Sequence, residues 1–320
     1  MDLHLLIDNL TNPALLFFFL GIIAVQLKSD LEIPPNSSKF ISIYLLFSIG
    51  FKGGQELAHS PLDAEVFQTL FFGVFLALLV PIMVFFILRR KFSVENSGAI
   101  AAAYGSVSAV TFITAVSYLD IQGIPFGGHM VATMALMEAP SIIIGVLLIS
   151  WFSKDKKEGV PFLSLVKHSL TNGSVLLILG SLVIGFIASD AQAAGIKPFT
   201  TDIFKGFLAI FLLDMGISSG QKLRSFFKKG FFPFAFAVLV PLINGSVVAF
   251  LSSAMSDEIG NRFLLAILAA GASYIAVPAA MRLVVPKANP SLYIPMALAI
   301  TFPVNITLGM PLYFLIAQNT

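Results

Sequence analysis

Cysteine is missing from all 320 positions of this chain. That excludes disulfides, thiolate metal sites and c-type haem attachment, and it leaves the compartment open. Histidine is scarce: His4, His59, His129 and His168 are the full set, and none sits in a His-Glu-x-x-His or similar metal pattern. The one Gly-x-Ser-x-Gly match, Gly216 to Gly220, lies inside an apolar run rather than at a strand-to-helix turn, and no Gly-rich phosphate loop with its lysine occurs, so enzyme chemistry of those kinds is not expected. Charge is sparse as well, at 11% of residues, and no segment is polar enough or long enough to make a soluble domain. ATP-driven work would need a separate subunit, which makes coupling to an ion gradient the simpler expectation.

What the chain does have is apolar sequence, 57% of residues, in runs repeated along its whole length. That composition predicts an all-α polytopic membrane protein. Met1 to Thr11 carries Asp2, His4 and Asp8 with no basic n-region, so the first apolar run is expected to be a retained span. Cutting at charge clusters and at Pro, Gly or Asn turns gives ten spans, at 12–27, 38–57, 66–88, 97–118, 129–153, 172–189, 199–220, 231–254, 261–283 and 291–316. The second, sixth and seventh are the least hydrophobic.

Fifteen of the 19 Lys and Arg residues fall in the connections after odd-numbered spans or in the span ends beside them; Lys52, Lys197, Lys205 and Arg262 lie on the other side. By the positive-inside rule the odd connections are cytoplasmic and both termini extracytoplasmic, in a multi-pass protein of the cell inner membrane.

Self-similarity is the strongest signal. Gly50-Phe-Lys-Gly-Gly-Gln55-Glu-Leu57 matches Gly216-Ile-Ser-Ser-Gly-Gln221-Lys-Leu223 at an offset of 166, and the same offset carries Gly105 onto Gly271. Phe71-Phe72 to Val80-Pro81 resembles Phe231-Phe232 to Val240-Pro241 at 160, and Met134-Ala-Leu136 pairs with Met296-Ala-Leu298 at 162, with Pro140 and Pro303 close behind. The unit is five helices, residues 1–158, repeated over 159–320. Because five is odd, the second copy enters the membrane from the opposite side. An inverted-topology repeat is a carrier architecture, with substrate held near the midplane where broken helices of both halves meet; a channel or a packing scaffold are the other readings.

The breaks themselves are visible. Ala269-Ala-Gly-Ala-Ser-Tyr-Ile-Ala-Val-Pro-Ala-Ala280 places Gly, Ser and Pro inside the ninth span, and Ala103-Tyr-Gly-Ser-Val-Ser-Ala-Val-Thr111 occupies the matching place in the fourth. In lipid such faults are tolerated where protein or a cavity satisfies the freed backbone. The N–H end of an interrupted half-helix favours an anion. Gly105, Ser106, Ser108, Ala109 and Thr111, with Ala272, Ser273, Tyr274 and Ala276, are therefore the candidate substrate contacts. Small residues also serve close helix packing, which is the competing explanation for each cluster alone.

Two carboxylates lie inside apolar spans, Glu138 and Asp214, each at roughly 2.5–3.5 kcal/mol if at helix centre. Glu138 precedes Pro140, whose ring frees the carbonyl of Leu136, so it is the first candidate sodium ligand. The position related by an offset of 163 is Thr301, with Asn305 one turn on. Asp214 reads equally as a second cation ligand, a proton acceptor or a residue buried against a helix end. Lys52 reads as a residue reaching out from the end of the second span.

At these same residues the chain resembles the sodium-dependent bicarbonate transporter family of cyanobacteria, most closely at Leu268 to Arg282, Pro286 to Tyr293, Thr301 to Pro303, Gly105 to Thr111 and Met137 to Pro140. The resemblance implies ten helices in a five-plus-five inverted repeat, a homotrimer, and bicarbonate uptake driven by sodium, the anion held where the two breaks cross. Glu138 stands where the family carries an aspartate. Where members read Ser-Asp-Ile-Ser-Gly-Pro-Pro, this chain has Ser273-Tyr-Ile-Ala-Val-Pro-Ala279, so an acid has become Tyr274, a serine Ala276 and a glycine Val277. Asp214, absent from that pattern, is the candidate compensation. A PII-like regulator is not expected, because the connection Ser153 to Thr171 is short. The function expected is sodium-coupled bicarbonate uptake with no cofactor beyond the coupling ion. The alternatives are a carrier of another small anion, such as an organic carboxylate, or an anion channel.

Overall fold

A computed structural model describes residues 11–59, 63–153 and 171–320. Every regular element in these segments is helical: α1 Pro13–Gln26, α2 Pro35–His59, α3 Ala64–Leu88, α4 Val94–Gly105, α5 Ala109–Gln122, α6 His129–Phe152, α7 Gly173–Ile187, α8 Asp190–Lys197, α9 Phe204–Phe227, α10 Phe231–Leu251, α11 Ile259–Ala270, α12 Ala276–Val284 and α13 Pro290–Asn319. The boundary expected at 158/159 lies outside the described residues.

Local chemistry sets the starts. Asn12 caps α1 through Ala14 N at 2.9 Å with Pro13 in the first turn, Asp63 caps α3 through Glu65 N at 3.1 Å, and Ser189 and Gln192 close a capping box on α8. Each such cap contributes about 1 kcal/mol. At the other end, Gly123 turns the chain out of α5 at φ 66°, a left-handed conformation glycine adopts without steric cost. Pro303 is accommodated inside α13 by wide π turns on either side, Met296–Thr301 and Asn305–Gly309.

Among the described residues, six helices or helix pairs are long and apolar enough to cross a membrane: α3, α4 with α5, α6, the stretch Asp190–Leu223, α10 with its last turn, and α13. Helices α1, α7 and α11 are apolar but shorter, so the sixth expected span is short rather than weakly hydrophobic, and α2 is long but carries Asn36, Lys39, Lys52 and several Ser and Gly. The amphipathic α8, which buries no residue, precedes the seventh expected span and delays its helix to Phe204.

The helices pack as two groups. In one, α1 lies on α9 and α2 on α7. The other joins α3, α4 and α6, and α10, α11 and α13, with α5 packed on α11. The repeated Gly-x-x-x-Gly segments are the contact surfaces of the first group: a Cβ on Gly216 would run into the Phe18 carbonyl, one on Gly54 into that of Leu182, and one on Gly50 would approach the Ile178 carbonyl to 2.8 Å. Small residues there let two backbones meet, the usual basis of helix association in lipid. In the second group, Ser141 donates to the Ala77 carbonyl at 2.8 Å and Thr301 to that of Ala237 at 2.7 Å, so two carbonyls 160 residues apart are used alike. Phe67, Phe71 and Phe75 of α3 and Leu239, Ile243 and Val247 of α10 point outward, while α4 and α5 are almost wholly buried.

The connections fall on two faces. On one, Lys52 pairs with Asp120, His59 with Asp190, Glu65 with Ser256 and Asn261, and Arg262 with the C-terminal Thr320. On the other, Asn289 N–H donates to Asn96 at 2.8 Å and the Arg89 guanidinium sits 4.2 Å from the centre of the Phe152 ring.

Candidate functional site

Both interruptions expected from sequence are present. Helix α4 stops at Gly105 and α5 starts at Ala109; α11 stops at Ala270 and α12 starts at Ala276. Gly105 is required by a close approach, since a Cβ would enter the Pro81 ring of α3. The two breaks touch. The Ser273 N–H donates to the Ala103 carbonyl at 2.8 Å, and a Cβ on Gly271 would come within 3.0 Å of the Ser108 nitrogen.

A helix end leaves four backbone groups without intrahelical partners, so their fate defines what the crossing attracts. On the carboxyl side, Ser273 takes the Ala103 carbonyl and the Asn305 side-chain amide takes the Ala270 carbonyl at 2.7 Å. On the amino side, Ser108 caps Thr111 N at 3.2 Å and accepts the Thr111 hydroxyl at 2.9 Å, and Ser273 receives Val277 N at 3.4 Å. Ala109, Val110, Ile275 and Ala276, the residues at the two helix starts, line a cleft instead. Positive helix ends therefore converge there.

That cleft has a volume of about 40 Å³. At ~10–15 Å³ for a water it admits only a few waters or one small ion. Its polar lining is Ser108, Ser273, Tyr274, Glu138, Ser42 and Ser174. Glu138 is buried, and among the described residues its carboxylate has no hydrogen-bond or ion-pair partner. The Tyr274 hydroxyl faces Ser108 without closing a hydrogen bond, its ring set edge-on to Phe302 with centroids 6.0 Å apart.

Of the nine expected substrate contacts, Ser108, Ala109, Ser273, Tyr274 and Ala276 line the cleft. Gly105, Ser106, Thr111 and Ala272 are buried within the breaks; the Ser106 hydroxyl has no partner among the described residues. Of the four sodium candidates, Glu138 alone lines it. Thr301 donates to the Ala237 carbonyl, so its single proton is used and the Tyr104 hydroxyl, 2.8 Å away, is the donor to it. Asn305 spends its amide on Ala270 and its oxygen on the Tyr313 hydroxyl at 2.9 Å. Both residues hold α13 to the ends of α4 and α11. Asp214 accepts from the Ser38 hydroxyl, with the Lys222 charge nearby, at the contact of α9 with α2. No group of three or more His, Asp or Glu among the described residues is arranged to hold a metal.

Sequence reasoning did not find the opposite wall: Ser42, Leu45 and Leu46 of α2, Ser174 of α7 and Phe211 of α9. They belong to the other helix group, and no local break or charge marks them.

An all-helical chain with long apolar helices and two interrupted helices crossing over a small polar cleft is a multi-pass membrane protein. The family model of the Na+-dependent bicarbonate transporter superfamily matches residues 13–318, and the chain belongs to that superfamily. It is thus a transporter-family protein and not an enzyme. No individual curated protein matches the chain.

Proposed function

We propose that this chain carries bicarbonate, together with sodium, through the cleft at the crossed breaks. One observation carries the reading: the amino ends of α5 and α12 and Glu138, unpartnered among the described residues, share a single small cavity. Amide ends recruit an anion. A carboxylate in the same cavity repels it unless a cation lies between them, and a monovalent ion suits one carboxylate with serine hydroxyls better than a divalent ion would. Glu138 is the sodium residue of this reading, with Ser108 and Ser273 flanking the anion. Thr301, Asn305 and Asp214 act on the cation through the scaffold they hold.

The architecture proposed is ten crossings in two inverted five-helix units, 1–158 and 159–320. The paired use of Ala77 and Ala237 and of the two Gly-x-x-x-Gly segments supports it. The face carrying Lys52, Asp120 and Thr320 is then extracytoplasmic, in the inner membrane, with both termini on that side. Each cleft is built within one chain, so the trimer implied by the resemblance is an assembly of complete sites.

The test is uptake of labelled bicarbonate into proteoliposomes with and without an inward sodium gradient, repeated with competing small anions. Saturable, sodium-stimulated uptake is expected. Conductance that ignores the gradient overturns the carrier reading, and stronger uptake of an organic carboxylate replaces bicarbonate as substrate.

A further inference from the structure

A second cavity, of about 440 Å³, lies along the same helices as the cleft. It is lined on α2 by Ser48, Ile49 and Lys52, on α5 by Val116 and Asp120, and at its rim by the exposed Asp202 and Lys205, whose charges offset each other. The cleft uses the preceding turns of both helices, Leu45 and Leu46 of α2 and Val110 and Ile113 of α5. From Leu46 to Ile49, and from Ile113 to Val116, is three residues, about 4.5 Å of helix rise. The small cleft and this larger cavity are therefore separated by a little under one turn of each helix. The separating side chains, Leu45, Ile49, Ile113 and Val116, are all apolar and at most 2% exposed. A short apolar constriction of this kind blocks ions by excluding water and opens when its walls part.

Its walls belong to different helix groups, and one ion pair ties them. Lys52 Nζ of α2 lies 3.0 and 3.1 Å from the two carboxylate oxygens of Asp120 on α5, with the Phe126 ring 5.9 Å away. Both partners are about one-third exposed, so the pair is wet enough to exchange. The Ser48 hydroxyl one turn deeper is buried beside the Tyr44 side chain and closes no hydrogen bond among the described residues. When α2 and α5 separate, the released ammonium and this hydroxyl face the same space, which suits a small oxyanion.

We propose that this cavity is the outer mouth of the permeation path, that the Lys52–Asp120 pair is its latch, and that Lys52 and Ser48 form a waiting site for the anion. The inference rests on the transport reading above. It takes the reach of the cleft one step outward, to residues with no part in the crossing of the breaks.

The lack of native cysteine makes single-cysteine labelling the direct test. Ser48→Cys and Ile113→Cys proteins, checked for folding by monodisperse elution in detergent, are reacted with membrane-impermeant anionic and cationic thiosulfonates in right-side-out and inside-out vesicles. Ser48→Cys is expected to label from outside, faster with the anionic reagent, and adding Lys52→Gln should remove that preference. Ile113→Cys is expected to label at least tenfold more slowly, and adding Asp120→Asn should raise its rate several-fold. Labelling of Ser48→Cys only from inside, or none, overturns the mouth; an Asp120→Asn rate equal to that of its parent overturns the latch. A preference that survives Lys52→Gln overturns the waiting site. Bicarbonate uptake by the unaltered chain is measured in parallel. Its absence defeats the transport reading, whereas uptake with failed labelling defeats only the mouth.

Discussion

The Ser273 N–H donates to the Ala103 carbonyl across 2.8 Å, fastening the second helix break to the end of the helix that precedes the first. The link satisfies two backbone groups that would otherwise be orphans in a low-dielectric interior. It also means that the crossing holds its shape as a unit. In the proposed transport cycle, motion that exposes the cleft to either side falls to the opposing wall of α2, α7 and α9, which faces the breaks across the cleft with side chains such as Leu45 and Phe211.

Glu138→Gln keeps the shape of the buried side chain and removes its charge. Sodium stimulation of uptake is expected to disappear, with total uptake down by at least about tenfold. Thermal stability should hold or rise, because the parent buries an unpaired carboxylate among the described residues. Uptake that keeps its sodium dependence in this variant takes Glu138 out of the cation site.

Asn305→Ala separates a scaffold residue from a ligand. The parent amide satisfies the Ala270 carbonyl at 2.7 Å, and an unmet buried carbonyl costs about 1–3 kcal/mol. A clear fall in melting temperature is expected, with the half-saturating sodium concentration changed less than twofold. The reverse pattern, a stable protein with weakened sodium response, would make Asn305 a direct ligand.

Much of this was legible in the sequence, and the reason is the cost of irregularity in lipid. Gly105, Gly271 and Pro278 interrupt apolar runs, and a break in a buried helix has few purposes. The Gly50 and Gly216 segments were legible as a repeat, although their contacts assign them to helix packing. Three-dimensional pairing was not legible. Thr301 and Asn305 have the right oxygens for a cation, and only their partners Ala237 and Ala270 show where those groups are spent. Ser42, Ser174 and Phe211 sit in ordinary helical sequence, so nothing local says that they face the breaks. Lys52 reaches out from the end of α2 as expected, but toward Asp120.

Glu258 predicts a pH dependence of stability on the outer face. Partial burial, and then the nearby Glu65 charge, raise its pKa above the ordinary 4.5. The Asn261 amide stands between them, 3.0 Å from Glu65 and 3.2 Å from Glu258. A raised carboxyl pKa means that the folded state binds the proton more tightly than the unfolded one. Its ionisation therefore destabilises the fold as pH climbs from about 4.5 through the raised value. Glu258→Gln is expected to melt at a higher temperature than the parent at pH 7, with the difference vanishing near pH 4. Equal melting at both pH values would show that Glu65 and Glu258 do not couple.

Tyr274 is where the chain departs furthest from the residues its resemblance implies, and two substitutions distinguish what the departure does. Its hydroxyl is buried without a partner among the described residues, while its ring packs edge-on against Phe302. If the ring is what matters, Tyr274→Phe keeps uptake and holds or gains stability, since it removes an unsatisfied hydroxyl worth about 1–3 kcal/mol of desolvation. Tyr274→Asp instead sets a second carboxylate in the cleft with Glu138. Without a cation two like charges in so small a cavity destabilise each other, so this variant should melt lower than the parent in sodium-free buffer. Sodium binding to the folded state then recovers stability as RT ln(1 + [Na+]/Kd), so its melting temperature should climb more steeply with sodium than the parent's does. Its half-saturating sodium concentration for uptake should fall at least threefold. A melting temperature that drops and ignores sodium would mean that position 274 serves the packing of Phe302, and that the cation site is complete with Glu138 alone.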